Sequence, residues 1–275
     1  MQKIITSLLL FSFCTLQFTF ALNPSRTYKT RPDKYNMEYQ EAKVKTDDGA
    51  VLNVWEFFAK VSTKGMILLA HNGEGNMADY LRRVDQFTSN GYHVIFFDYR
   101  GYGESSEFEI DNSMYIYPHF QDDFRAMIDY CRSKPISTFS VYGWGIGAGL
   151  ALGISFNDPA VERIIADTPF LSMEDLEEKF SDWDEPMEVP FAGYSKKYEP
   201  LYTLDTTPGR SLKGILLIMG SNDILYSPDD MKRLASKQEK LFAPLYVVEN
   251  PDRKDNFLVD KAAYFSQIKS FMGIN

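Results

Sequence analysis

Histidine is scarce in this chain of 275 residues: His71, His93 and His119 are the only three, and none follows residue 119. Three histidines so scattered lack the spacing of a zinc site. Cysteine is scarcer, with Cys14 and Cys131 alone. Cys14 falls in an N-terminal segment expected to be removed, which leaves one cysteine and excludes an intramolecular disulfide even in an oxidising compartment. Cys131 ends the run Ala126-Met127-Ile128-Asp129-Tyr130-Cys131 and reads as a buried helical side chain, not a nucleophile. Positive charge is in deficit, 29 Lys and Arg against 38 Asp and Glu, for a net charge of -9. That balance argues against nucleic acid and against anionic membrane surfaces as partners. There is no internal repeat and no low-complexity tract. What is present excludes disorder: 44% of the residues are hydrophobic and 15% aromatic, enough for a large core. The length suits one α/β domain.

The N-terminus reads as an export signal, residues 1–21. Lys3 gives a positive start, and residues 4–20 are apolar apart from Thr, Ser, Cys and Gln. Thr19 and Ala21 place small residues at the positions a signal peptidase requires. The stretch is short for a full membrane span, and Phe13 is too large for the usual site before a lipidated Cys14. The mature protein is expected to begin near Leu22, without stable membrane insertion, in the periplasm or the medium. Residues 22–40 read as an arm or linker, and residues 41–275 as a single domain.

Strand signals fall at 41–45, 51–58, 65–71, 92–97, 138–142, 161–166, 214–219 and 245–248. Asp47-Asp48-Gly49 marks a hairpin between the first two. Helical signals fall at 79–89, 120–131, after residue 145, from Ser227-Pro228, and at 261–272. Residues 172–213 form a cap-like helical excursion. The alternation predicts an α/β fold, a mostly parallel sheet of about eight strands with helices on both faces. Ligands of such sheets lie beyond the C-terminal strand ends, where His71, Asp98, Gly145, Asp167 and Asp223 fall.

The organising stretch is Val141-Tyr142-Gly143-Trp144-Gly145-Ile146-Gly147-Ala148-Gly149. It reads as strand end, tight turn and helix start, with glycines two before and two after its apex, the pattern Gly-x-Ser-x-Gly of a nucleophile elbow. The apex here is Gly145, which has no hydroxyl, thiol or carboxylate. An elbow apex takes a positive φ, which costs a residue other than glycine about 1–3 kcal/mol. Glycine takes it freely. Alone, such a turn also admits the lesser alternative of a plain glycine-rich strand–helix turn that binds phosphate.

Taken together, the chain resembles the α/β-hydrolase superfamily over residues 51–272, in the branch of serine aminopeptidase-like and BEM-type membrane-associated members. Four stretches carry the resemblance. His71-Asn72-Gly73-Glu74-Gly75-Asn76 looks like the loop beside that branch's oxyanion hole. Asp98-Tyr99-Arg100-Gly101-Tyr102-Gly103-Glu104-Ser105 is the most specific match. The elbow is the third, and Gly220-Ser221-Asn222-Asp223, followed by Pro228, looks like the loop bearing the triad acid. The resemblance puts Gly145 at the serine, Asp223 at the acid and Lys254 at the histidine, in Asn250-Pro251-Asp252-Arg253-Lys254-Asp255-Asn256. Serine attacks and histidine carries its proton, so losing both argues against serine hydrolysis. An ion pair of Lys254 with Asp223 is the expectation in place of the His–Asp pair. The backbone N–H groups of Ile146 and Gly73 are expected to survive as an anion or carbonyl cradle, with Asn72 and Trp144 beside the ligand. No cofactor or metal is implied.

The other polar candidates read as structural. His71 is a hydrogen-bonding residue at a strand end, His93 a core histidine, and His119 lies near a helix start. Asp98 and Arg100 fix their loop, and Asp167 takes a helix-capping or loop role, with a buried acid near the pocket as the alternative. The function expected is binding of a small acyl or carboxylate ligand, or of a protein partner, by an exported protein that has lost its hydrolase chemistry. Two alternatives stand beside it: a hydrolase of esters, amides or peptides with a displaced nucleophile or an activated water, and a small-molecule sensor.

Overall fold

The computed structural model describes residues 22–252 and 255–274. The export signal at 1–21 and Lys254 therefore lie outside the described residues. Among the described residues ten strands appear, β1 (Asn23–Pro24), β2 (Tyr39–Lys45), β3 (Val51–Phe57), β4 (Gly65–Ala70), β5 (Glu74–Gly75), β6 (Tyr92–Phe97), β7 (Phe139–Trp144), β8 (Val161–Asp167), β9 (Gly214–Gly220) and β10 (Tyr246–Val248). The α-helices are α1 (Leu81–Thr88), α2 (His119–Arg132), α3 (Ile146–Ser155), α4 (Met173–Ser181), α5 (Pro200–Thr203), α6 (Pro228–Ser236), α7 (Asn256–Val259) and α8 (Lys261–Met272).

Eight strands form one sheet in the order β10-β9-β8-β7-β4-β6-β3-β2. Within it only the β2–β3 and β3–β6 pairs are antiparallel, so β3 alone runs against the others. Strand β4 shows why its run of residues is apolar throughout. Met66, Leu68 and Ala70 enter the core on one face, and Ile67 and Leu69 that on the other. The first face carries Phe120, Phe124 and Met127 of α2 and the wholly buried α3; the second carries Val84 and Phe87 of α1 and Tyr264, Phe265 and Ile268 of α8. Residues 172–213 hold α4 and α5. Ser227 caps α6, accepting from Asp230 N, with Pro228 at the first helical position.

One expectation narrows and one changes. Of the arm or linker expected at residues 22–40, the first residues form an arm bound across the domain surface. Leu22 is fully buried, and Asn23–Pro24 pairs in parallel with Glu74–Gly75. Its polar composition hid the anchoring, because the main chain makes most of the bonds. His93 is not a core histidine. Its Nδ1 accepts from Ala59 N and its Nε2 meets Thr63 Oγ1, tying the 58–63 turn at the sheet rim.

Candidate functional site

Strand β7 delivers Gly145 to the C-terminal edge of the sheet at φ 58° and ψ -127°, immediately before α3. The sharp turn needs close approach on both sides: a Cβ on Gly143 would lie 2.1 Å from Gly147 O. Gly145 N–H donates to Asp167 O at 3.0 Å, tying the apex to the end of β8, where Trp144 and Asp167 are register partners.

Asn72 crosses the apex. A Cβ on Gly145 would stand 2.6 Å from Asn72 Cβ and 3.3 Å from its Cα. Asn72 is fixed there, its Oδ1 accepting from Tyr80 Oη at 2.6 Å and Glu74 N at 3.3 Å. The place a side chain on Gly145 would start from is thus taken by a neighbour held near its backbone, not by a mobile side-chain tip.

A cleft of about 960 Å³ opens over the apex, lined by Asn72, Trp144, Gly145, Ile146, Asp167 and Asp223 among others. Ile146 opens α3, where the first N–H groups have no acceptor within the helix. Gly73 departs from its expected role. Its N–H donates to His71 Nδ1 at 3.2 Å, and the residue is absent from the cleft wall. The sequence placed Gly73 in the right loop, but the bond that shapes the loop engages its donor. His71 itself is fully buried, and burial depresses its pKa to about 3. It is the structural strand-end residue expected.

Asp223 Oδ1 accepts from Leu225 N and Tyr226 N, each at 2.9 Å, at the end of β9. Arg100 is paired with Asp123 and Asp48, and Asp98 accepts from Met77 N, so both fix the 98–105 loop. Of the two readings of Asp167 the structure bears out the buried acid on the cleft wall, and the residue caps no helix. Its Oδ2 accepts from Tyr264 Oη at 2.7 Å and its Oδ1 from Asn256 Nδ2 at 2.7 Å. Burial pushes its carboxyl above the usual range, against the pull of those bonds. Thr168, next to it, is held at φ 56°.

Behind Trp144 lies a network the sequence did not reveal. Arg83 is 3% exposed, donates to Tyr142 Oη at 3.0 Å, grips Asp255 with both terminal nitrogens, and stacks 4.3 Å over the Trp144 ring. Tyr142 Oη meets Tyr264 Oη at 2.9 Å, which leads to Asp167. Asn250 Nδ2 donates to Asn256 Oδ1 at 2.8 Å. The available signal was positional: Tyr80, Arg83, Val84 and Phe87 fall on one stripe of a helix, which places an arginine among apolar residues.

A family description, serine aminopeptidase of group S33, matches residues 61–189. Protein bem46 of Schizosaccharomyces pombe is 26% identical over 159 residues, covering 55% of this chain and 51% of that protein. The chain has the α/β-hydrolase fold and is similar to the serine aminopeptidase-like, BEM-type branch of proteins that carry it. The α/β-hydrolase domain-containing protein WAV2 of Arabidopsis thaliana is 24% identical over 231 residues, covering 78% of this chain and 71% of that protein. The match thus spans about half of bem46 and more of WAV2. Among solved structures, the Pyrococcus furiosus esterase Pf2001 shares the fold with a TM-score of 0.68 at 17% identity, over 91% of this chain and 98% of that one. Among the described residues, no His, Cys, Asp and Glu group could hold a metal ion, and no helix is long and apolar enough to cross a membrane.

Proposed function

We propose that this α/β-hydrolase-fold protein has lost serine-hydrolase chemistry and works by binding, outside the cytoplasm, a small acyl or carboxylate ligand or a protein partner. The observation that carries the reading is the apex. Gly145 supplies no nucleophile, and Asn72 fills the place where one would project. A site under selection for serine chemistry needs that space open for both the hydroxyl and the substrate carbonyl. With no histidine after residue 119, Asp223 has no imidazole to orient. The cleft remains, with Ile146 at its helix N-terminus as an anion cradle. A serine-directed fluorophosphonate probe and a nitrophenyl ester test this. The folded wild-type chain is expected to be neither labelled nor active; stoichiometric labelling would refute the proposal.

One feature favours the alternative of a displaced nucleophile. A β-branched residue at positive φ is a genuine outlier, and such strain clusters at functional sites. Thr168 is one, lines the cleft, and donates its hydroxyl to Asp167 Oδ1 at 3.1 Å. Should ester hydrolysis be found and vanish in Thr168→Ala, Thr168 is the nucleophile. The loss of chemistry at Gly145 makes binding the better reading.

A further inference from the structure

The arm at residues 22–28 is held as a bound peptide would be. Asn23 N–H donates to Gly73 O at 2.9 Å and Ser25 N–H to Gly75 O at 2.8 Å, so the arm adds a strand to β5. Gly103 N–H donates to Ser25 O at 2.9 Å. Asn76 Nδ2 donates to two arm carbonyls, Ser25 O at 3.1 Å and Thr27 O at 2.9 Å. All these bonds use the arm's main chain and read no side chain.

Arg26 Nη1 donates to Tyr102 O at 3.2 Å, and side chains are enclosed at two further places. Leu22 is fully buried, its Cδ2 so close to Gly73 that a Cβ there would stand 2.6 Å away, with Ile146 Cδ1 and Tyr102 Oη around the same point. Six residues on, the Tyr28 hydroxyl donates to Asp98 Oδ2 at 2.6 Å and accepts from Asn53 Nδ2 at 2.8 Å and Glu104 N at 3.1 Å. Its ring packs on Trp55 with centroids 4.7 Å apart. Between the two anchors, Arg26 and Thr27 are exposed. Main-chain pairing for affinity with side-chain sockets for selection is the logic of strand-addition peptide recognition. Most of the residues that build these sockets belong to the 71–76 and 98–105 loops.

We infer that this groove is a peptide-binding site filled in cis by the chain's own arm, and that its ligand in trans is an extended segment of a protein partner bearing an aliphatic residue and, six positions later, a tyrosine. The inference deepens the binding function proposed above and rests on it. Asn23, Pro24, Ser25 and Lys29 of the arm also form part of the cleft wall, so exchange of the arm for a partner segment rebuilds the mouth of the cleft. The arm is the chain's own competitor. A tethered segment acts at an effective concentration on the order of millimolar, so the closed site excludes all but well-matched partners.

The test uses the full chain and the fluorescein-labelled heptapeptide Leu-Asn-Pro-Ser-Arg-Thr-Tyr, followed by anisotropy. Leu22→Asp in the chain unseats the arm at its first anchor. The folded variant is expected to bind the peptide at least about tenfold more tightly than the wild type, in line with removal of a tethered competitor. A peptide carrying Leu22→Asp is expected to bind neither protein. Equal binding of the peptide to wild type and folded variant, or none to either, overturns the inference. The wild-type chain provides a second reading that depends on no variant. Excess unlabelled peptide is expected to speed tryptic cleavage after Arg26 by displacing the arm, while the Leu22→Asp peptide leaves the rate unchanged. An unchanged rate with the matching peptide also overturns it. The fluorophosphonate and ester measurements report only the lost chemistry, so failure of either reading shows separately.

Discussion

Asn72 and Gly145 are in mutual contact such that a side chain at one forbids a side chain at the other: a Cβ on Gly145 would fall 2.6 Å from Asn72 Cβ. Asn72 is held by Tyr80 and by Glu74 N, so it does not swing aside at little cost.

The first prediction concerns this pair. Gly145→Ser is expected to destabilise by roughly 2–6 kcal/mol, from about 1–3 for the positive φ and a similar amount for overpacking. Asn72→Gly should recover part of that loss in the double variant, a favourable coupling measured by a urea-denaturation cycle. Additive effects would show that the contact is not the cause. Gly145→Ser combined with Lys254→His is therefore expected to yield esterase activity only when Asn72 is also cut back, read as initial rate on a nitrophenyl ester.

The second concerns pH. Burial raises the Asp98 carboxyl to about 7, against the bonds from Tyr28 and Met77 N. A folded pKa above the unfolded value near 3.9 means that the folded state binds the proton more tightly. The stabilisation is therefore full below about pH 4 and is lost as pH rises toward 7. His71, whose Nε2 lies 3.7 Å from Asp98 Oδ1, has the opposite sign. Its depressed pKa contributes stability above about 6.5 that fades as pH falls toward 3. Asp98→Asn is expected to gain on the wild type between pH 4 and 8 in thermal melts. A constant difference in melting temperature over that range would show that Asp98 does not titrate there.

The third concerns the ion pair of buried Arg83 with half-buried Asp255. Asp255→Ala leaves the Arg83 guanidinium buried without its carboxylate and is expected to cost about 3–5 kcal/mol. Adding Arg83→Leu should return part of that loss, because no unpaired charge then remains. Chemical denaturation of both variants decides it, and a double variant less stable than Asp255→Ala would count against the network as the source.

The fourth concerns the N-terminus. Protein recovered from the source cell is expected to begin near Leu22 and to be soluble outside the cytoplasm. N-terminal sequencing that finds Met1 intact in a membrane fraction refutes export.

How much of this was legible in the sequence follows from the range of the interactions. Gly145, its positive φ and the α6 cap at Ser227 are local: a turn's backbone and a helix's first N–H groups are decided within a few residues, so the motif announces them. The sheet was readable because strands buried on both faces must be continuously apolar, as 65–70 and 214–220 are. That no histidine follows residue 119, on which the proposed loss of the triad rests, needs no coordinates. What only tertiary structure decided are contacts between residues distant in sequence. Gly73 lost its place in the cradle to His71 through loop geometry. Asp167 became a buried acid because Tyr264 and Asn256, about ninety residues on, supply its donors. Arg83 is tolerated in the core because Asp255 and Tyr142 meet it there. The sequence left arm and linker open because the arm is bound through its main chain, which carries no signature in sequence and pairs wherever a complementary strand edge is brought to it.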